Sequence, residues 1–186
     1  MATYVTSWIN FGNFSDVAGP SSLSGHIWSS PSYAQYQDGN AAYVDGVSPA
    51  SDWLYCKNLL SSPGIQIGGK IRGVEIALYA MTAIGHAPPD TTTLRTNIIK
   101  AGSRVGSNRD VGTSNCIGGT TCWSSVVAGG AADLFGTTLS VTDITDANFG
   151  VAIQALPDAK GYGSTYYVDH VKIRFHYDQV GMLLTI

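Results

Sequence analysis

The sequence is poor in charge. Only 12% of its 186 residues are charged, about half the share that is usual in a soluble domain. Of the 13 acidic residues only Glu75 is a glutamate, so helices laced with Glu–Lys ion pairs are excluded. The net charge of −3 also lacks the basic excess that is typical of nucleic-acid-binding proteins. We therefore exclude helical bundles and coiled coils, and predict no nucleic-acid partner.

Long apolar runs are absent as well. No run approaches the roughly 18 apolar residues that a membrane span needs, and residues 1–10 lack the pattern of a secretory signal. Disorder is excluded because 44% of the residues are hydrophobic and charge is sparse. The length is that of a single domain, residues 1–186. We predict no membrane partner.

What the sequence does contain is strand alternation between Gly-rich turns. In the clearest run, residues 166–177, the side chains of Val171, Ile173 and Phe175 share one face, which indicates a core. The opposite face carries His170, Lys172, Arg174 and His176. Such a basic stripe is typical of a solvated face, and the alternative is a contact surface for an acidic patch on a neighbouring subunit.

Seven further runs predict strands. They lie at residues 70–80, 149–155 and 94–100, and more weakly at 3–11, 41–45, 52–58 and 122–128. Short helical turns are expected at 142–147 and 31–36, and a polar loop with room for one hairpin at 102–119. The pattern predicts an all-β fold, an antiparallel two-sheet β-sandwich resembling a jelly roll.

The three cysteines leave two alternatives open. Cys116 and Cys122 enclose a Gly-Gly pair that could turn a hairpin and bring the sulfurs together as a disulfide. In a reducing cytosol both would stay reduced. Cys56 is expected to be a buried, unpaired thiol. No Cys-x-x-Cys pair is present, so a zinc site is not predicted, and no cofactor is expected.

The acidic residues show no catalytic pattern. Five aspartates invite a calcium or glycosidase hypothesis, but no Asp-x-Asp-x-Asp run exists, and nothing indicates two apposed carboxylates. These are Asp38, Asp45, Asp52, Asp143 and Asp146. Asp169 is expected to be architectural, accepting backbone N–H bonds from a loop. We predict no catalytic residue, no metal site and no enzymatic activity.

Aromatic residues are abundant, with four tryptophans and ten tyrosines. Trp and Tyr are enriched at binding surfaces, although most are expected in the core. The candidate ligand-facing aromatics are Tyr33, Tyr36, Tyr162 and Tyr166.

The order of several motifs resembles a family of small β-sandwich proteins of tailed bacteriophages and prophages. The strongest blocks are Gly-Gly-Ala-Ala-Asp-Leu-Phe-Gly at 129–136, Asn-Phe-Gly-Val at 148–151 and Val-Asp-His-Val at 168–171. The resemblance covers roughly residues 28–177, and members of this family mostly have no assigned activity. It implies a virion or phage-encoded setting and localisation to the virion, and it transfers no catalytic residue to this chain.

From this resemblance, the low charge, the missing catalytic pattern and the apolar terminus, we expect a non-enzymatic capsid decoration or cement protein on the phage head. Its partners would be copies of itself, with a trimer favoured, and the major capsid protein or other virion proteins. An assembly arm at 1–14 and an apolar tail at 180–186 are the expected contact segments. The candidate subunit or capsid contacts are Trp8, Phe11, Phe14, Met182, Leu183, Leu184 and Ile186. The alternative is a tail-tip or fibre-associated module that binds a host glycan or receptor.

Overall fold

The computed structural model describes residues 3–18, 26–45, 47, 50–84, 92–117, 122–157 and 163–179. Eleven strands lie within this part of the chain. They are β1 (Thr3–Val5), β2 (Ile9–Val17), β3 (Ala42–Val44), β4 (Trp53–Leu59), β5 (Lys70–Ile84), β6 (Thr93–Lys100), β7 (Ser103–Gly112), β8 (Asn115–Ile117), β9 (Ser124–Gly130), β10 (Gly150–Ala155) and β11 (Thr165–Asp178). The fold is therefore all-β, as predicted.

The strands form two layers that share β2. Residues 11–17 of β2 pair with β4, and the order continues through β10 and β6 to β7; we call this layer the β10 sheet. Ile9 and Asn10 pair instead with β11, which lies beside β5. β11, β5 and the start of β2, together with β1, β3, β8 and β9, form the second layer, which we call the β11 sheet. Because one strand passes from one layer to the other, the two layers close over a common core.

The pairing is antiparallel except between β5 and β8, which run parallel. The longest ladder joins β11 to β5, from Thr165 opposite Ala83 to Asp178 opposite Lys70. A β-bulge interrupts this ladder between Val168 and His170. Because an extra residue inverts the alternation of side chains, the bulge sets which residues before it point outward.

The core lies between the two layers. Val171, Ile173 and Phe175 of β11 have no exposed surface, as the alternation predicts, and the Phe149 and Phe175 rings lie 5.9 Å apart. Each fully buried side chain of this size stabilises the fold by about 1.5–3 kcal/mol. The free thiol of Cys56 is also buried here, and burial raises its pKa well above the ordinary value.

Helical structure is slight, in agreement with the expectation. The α-helix α1 spans Val141–Ile144, and its N-terminus is a capping box between Ser140 and Asp143. The two residues satisfy each other's backbone N–H groups, which stabilises so short a helix. A 3-10 helix spans Pro31–Gln35. No helix among the described residues is long and apolar enough to cross a membrane.

Two expectations were wrong, the contact role of Phe11 and the polar loop. The segment 1–14, expected as an assembly arm, includes most of β2, and Phe11 has no exposed surface. Phe11 therefore contributes to the protein's own core and cannot be a capsid contact. The expected polar loop at 102–119 contains β7 and β8, because cross-strand partners on β6 and β5 order a segment that lacks an apolar stripe. The apolar tail at 180–186 lies outside the described residues.

Candidate functional site

Aromatic side chains gather on the outward face of the β11 sheet. Tyr167 of β11 lies opposite Tyr43 of β3 and Met81 of β5, and two residues earlier on β5 stands Tyr79. Their neighbours in sequence point to the core, because side chains alternate along each strand. Trp123 precedes β9, which pairs with β5. Three strands and the residue that precedes β9 thus present aromatic rings to one surface.

The rings touch one another in a row. Tyr79 and Trp123 stack at 5.4 Å between ring centres, and Trp123 meets Tyr167 edge-on at 6.5 Å. Tyr167 in turn stacks with Tyr43 at 6.0 Å. These are favourable geometries for aromatic pairs, worth about 0.5–1.5 kcal/mol each beyond burial. The row is therefore held in place before any ligand arrives.

Beside this row lies a cavity of about 330 Å³, which we call the aromatic cleft. Its lining is formed by Tyr33, Gly39, Asn40, Ala41, Met81, Trp123 and Tyr167. Tyr33 is the third residue of the 3-10 helix and is 51% exposed. The cleft thus combines aromatic faces with a polar amide at its rim, the composition expected of a small-molecule site.

Asp169 positions one wall of the aromatic cleft. Its side chain is 1% exposed, and its two carboxylate oxygens accept the backbone N–H groups of Asp38 and Gly39, each at 3.4 Å. Burial raises the pKa of Asp169, and these two hydrogen bonds act against that rise. The prediction that Asp169 accepts N–H bonds from a loop is confirmed. The loop that it holds continues directly into Asn40 and Ala41.

A disulfide holds the other wall. Cys116 and Cys122 are bonded, with their Cα atoms 5.6 Å apart. Cys116 lies in β8, which pairs with β5, and Cys122 directly precedes Trp123. The link therefore ties the backbone beside Trp123 to the β11 sheet.

Polar groups at the rim are already oriented. Asp38 accepts hydrogen bonds from the backbone N–H and the side-chain amide of Asn40, at 2.9 and 3.2 Å. Burial, with the charge of Asp45 and the neighbouring Tyr43, raises the pKa of Tyr167. Its phenol therefore stays protonated at neutral pH and can donate a hydrogen bond.

The predicted ligand-facing tyrosines divide. Tyr33 lines the aromatic cleft, whereas Tyr36 is 52% exposed but outside its lining. Tyr166 was predicted wrongly: it has no exposed surface, and its hydroxyl donates to the carbonyl of Leu156. Tyr162 lies outside the described residues.

The β-bulge explains why Tyr167 was missed. Counting alternate residues back from Val171 places Tyr167 inward and Tyr166 outward, but the bulge between Val168 and His170 inverts this order. The sequence signal for this bulge is Asp169, because a carboxyl group is unusual at a core-facing position of an apolar run. The pattern missed Trp123, Tyr43 and Tyr79 because their proximity arises from strand pairing.

The predicted basic stripe does face outward, but it is largely neutralised. Glu75 accepts a hydrogen bond from Arg174 Nε at 2.6 Å, and its other oxygen lies 3.0 Å from His176 Nε2. Burial raises the pKa of Glu75, but the hydrogen bonds and charges of Arg174 and His176 together lower it below its ordinary value. The ring of Trp8 lies 4.5 Å from the Arg174 guanidinium. Trp8 thus packs on its own sheet, and Phe14 on the core.

The outward face of the β10 sheet also carries aromatic residues. Trp53 and Tyr55 of β4 pack with Ile99 and Ala152, and are only 3% and 8% exposed. The guanidinium of Arg104 lies 4.0 Å above the Trp53 ring. These rings are therefore covered by the protein itself.

The candidate metal and catalytic groups are not brought together. Among the described residues, no three His, Cys, Asp or Glu side chains are placed to share a metal ion. Asp143 caps α1, and Asp146 accepts the backbone N–H of Asn148. The described lining of the aromatic cleft contains no carboxylate, whereas glycoside hydrolysis ordinarily needs two.

No protein-family model matches the chain, and no curated protein matches it in sequence. Solved structures do resemble it. CBM4 has a TM-score of 0.43 at 11% identity, over 90% of this chain and 94% of that one. TmCBM61 in complex with β-1,4-galactotriose has a TM-score of 0.36 at 8% identity, and the match covers 89% of this chain and 86% of that one. The CBM22-1–GH10 modules of Clostridium thermocellum xylanase 10B, complexed with xylohexaose, have a TM-score of 0.33 at 14% identity. That match covers 96% of this chain and 27% of that one. Likenesses this distant establish neither ligand nor activity.

Proposed function

We propose that this chain is a non-catalytic carbohydrate-binding domain whose binding site is the aromatic cleft. The observation that supports the proposal is the cleft itself: Trp123, Tyr167 and Tyr33 line a cavity whose rim carries Asn40. A sugar ring has apolar C–H faces and a hydroxyl edge. It therefore fits a site where aromatic rings lie beside polar side chains.

The site is preorganised for such a ligand. Trp123 and Tyr167 are fixed by contacts to Tyr79 and Tyr43, and the loop bearing Asn40 is fixed by Asp169. A ligand therefore does not have to order these groups on binding, which removes part of the entropic cost of association. The absence of a carboxylate from the described lining favours binding over cleavage.

Alanine substitution of Trp123 tests the proposal. A glycan array with the purified chain identifies an oligosaccharide, and titration calorimetry then compares wild type with Trp123→Ala and Tyr167→Ala. Loss of one stacking ring is expected to weaken binding by about tenfold or more, by analogy with the 1–3 kcal/mol per stacked base in nucleic-acid binding. Tyr36→Ala is the matched control, because Tyr36 is an exposed tyrosine outside the cleft. Equal weakening by all three variants, or by none, would contradict the proposal.

The phage setting stays a prediction from the sequence. Within it, we propose that the chain is a virion component, assembled with copies of itself, that uses the cleft to hold a host glycan. Such a glycan-binding role agrees with the outward aromatic cleft better than the decoration role does. The location of the chain in purified particles, at the head or the tail tip, would distinguish the two roles.

A further inference from the structure

The aromatic cleft continues along β11 into the basic stripe. His170 lies opposite Tyr79, and Lys172 lies opposite Ala77, one step further along the same outward face. Diagonal neighbours on one face of an antiparallel pair are about 7–8 Å apart, within reach of long side chains. Lys172 is therefore a diagonal neighbour of Tyr79, which stacks on Trp123 of the cleft.

Lys172 is the cation of this stripe that lacks a carboxylate partner among the described residues. Arg174 and His176 share Glu75. Burial lowers the pKa of His170, and the charge of Lys172 lowers it further, so that His170 is neutral at neutral pH. The ammonium of Lys172 instead lies 5.4 Å from the ring centre of Trp8. A ring face attracts a cation but does not neutralise it.

The surroundings of Lys172 connect it to the aromatic row. Ala77 opposite it is small and only 6% exposed, so β5 places no bulky side chain between Tyr79 and Lys172. On the other side Asn10 pairs with Lys172 in register, and its amide oxygen lies 3.0 Å from His170 Nε2. A neutral ring and an amide thus lie between the aromatic rings and the ammonium of Lys172.

The sign of the charge matters because the rest of the protein is acidic. The chain has a formal net charge of −3, which on average disfavours the approach of anions. An ammonium with no carboxylate partner among the described residues, beside a row of aromatic rings, is a local exception to that average. It offers an anionic group on a ligand a partner that no described carboxylate has taken.

We infer that the ligand of the aromatic cleft is an acidic glycan, one whose carboxylate or sulfate reaches Lys172 while a neighbouring sugar ring stacks in the cleft. This inference rests on the proposed carbohydrate-binding function and adds the chemical class of the ligand. Uronic-acid and sulfated oligosaccharides share the required chemistry, which is an apolar ring face with an attached anion.

The experiment uses matched oligosaccharides. A uronic-acid hexasaccharide is compared with its carboxyl-reduced form, and a sulfated hexasaccharide with its desulfated form, each by titration calorimetry against the full chain. The acidic member of at least one pair is expected to bind about fivefold more tightly, the upper end of what a partly exposed ion pair contributes. The pair that shows the preference identifies the anion.

Variants locate the effect. Lys172→Met should abolish the preference for the acidic member, because it removes the ammonium and keeps a long side chain. Lys57→Met removes the same charge from the β10 sheet and should change neither the preference for the acidic member nor the binding of the neutral member. The wild-type preference should also shrink as salt is raised, because salt screens a partly exposed pair.

The outcomes separate the two proposals. If both members of each pair bind equally and Trp123→Ala weakens both, the acidic-ligand inference is overturned and the carbohydrate-binding proposal stands. If the preference persists in Lys172→Met, the inference about Lys172 is overturned. If no oligosaccharide binds, both proposals fail.

Discussion

The two outward faces of the sandwich both carry tryptophan and tyrosine, but only one of them leaves those rings open. On the β10 sheet, Trp53 packs against Ile99 and Ala152 beneath Arg104, and is 3% exposed. On the β11 sheet, Trp123 lines a cavity of about 330 Å³. The same residue type therefore stabilises the fold at one place and lines an open cleft at the other.

The difference lies in what the neighbours do. Ala152 is small and belongs to the same buried cluster as Trp53, and Arg104 covers the ring from outside. Trp123 instead has Tyr79 stacked on it and Tyr167 edge-on, which fixes its position while the cleft beside it stays open. The number of aromatic residues on a face therefore does not show whether that face is open. What decides it is whether neighbouring side chains cover the rings.

The largest expected effect contrasts the two tryptophans in stability. Trp53→Ala empties a buried cluster and should lower the free energy of unfolding by about 3–5 kcal/mol. Trp123→Ala removes a partly exposed ring and should lower it by about 1 kcal/mol, close to the value of its aromatic contacts. Urea unfolding followed by circular dichroism measures both. Equal losses would show that the two faces are packed alike.

The disulfide should sharpen the contrast in a different way. Replacing Cys116 and Cys122 together by serine should lower stability by about 2 kcal/mol, from the loop entropy of so short a link. It should also raise the accessibility of Trp123 to a fluorescence quencher and leave Trp53 unchanged, because Trp53 lies on the other sheet. Quenching in single-tryptophan backgrounds makes this measurement. An unchanged Trp123 signal would mean that the aromatic contacts alone hold the ring.

The smallest expected effect concerns the charges on the two faces. Burial raises the pKa of Glu75, but Arg174 and His176 lower it by more, so the pKa in the folded protein is below its ordinary value. The contribution of the Glu75 carboxylate to stability is therefore fully present above the ordinary pKa, and it is lost as the pH falls through the pKa of the folded protein. Glu75→Gln should therefore cost about 0.5–1 kcal/mol at neutral pH. Its deficit relative to wild type should disappear in acid.

Asp110→Asn is the matched control for Glu75. It breaks the Arg95–Asp110 pair, whose side chains are 31% and 43% exposed, and should cost less than Glu75→Gln because solvent screens the pair more. Chemical unfolding at a series of pH values measures both variants. A Glu75→Gln deficit that stayed constant into acid would contradict the assigned role of the carboxylate.

Much of the fold could be predicted from local pattern. The runs at 70–80, 94–100 and 149–155 correspond to β5, β6 and β10, since alternation and β-branched residues report directly on a buried face. The segments β7 and β8 could not be recognised because they lack an apolar stripe. Strand pairing orders them, and pairing is a long-range property.

The candidate site could be predicted only in part. Tyr33 was found, and the role of Asp169 was found because a buried carboxyl group needs N–H partners. Tyr167 was missed and Tyr166 wrongly chosen, since one extra residue in the bulge reverses the two faces of the strand before it. No single-sequence pattern reports the pairing irregularity of two distant strands.

Local sequence information is sufficient for the class of this protein, an all-β sandwich with few charged residues and a basic stripe on an outward face. Those properties follow from composition and from the alternation of side chains, which are local. Only the tertiary structure decided which aromatic rings are open, because Trp123, Tyr167, Tyr79 and Tyr43 come from separate segments and meet only through strand pairing. The same pairing sets Lys172 beside Tyr79, so that the site and the charge next to it arise together on folding.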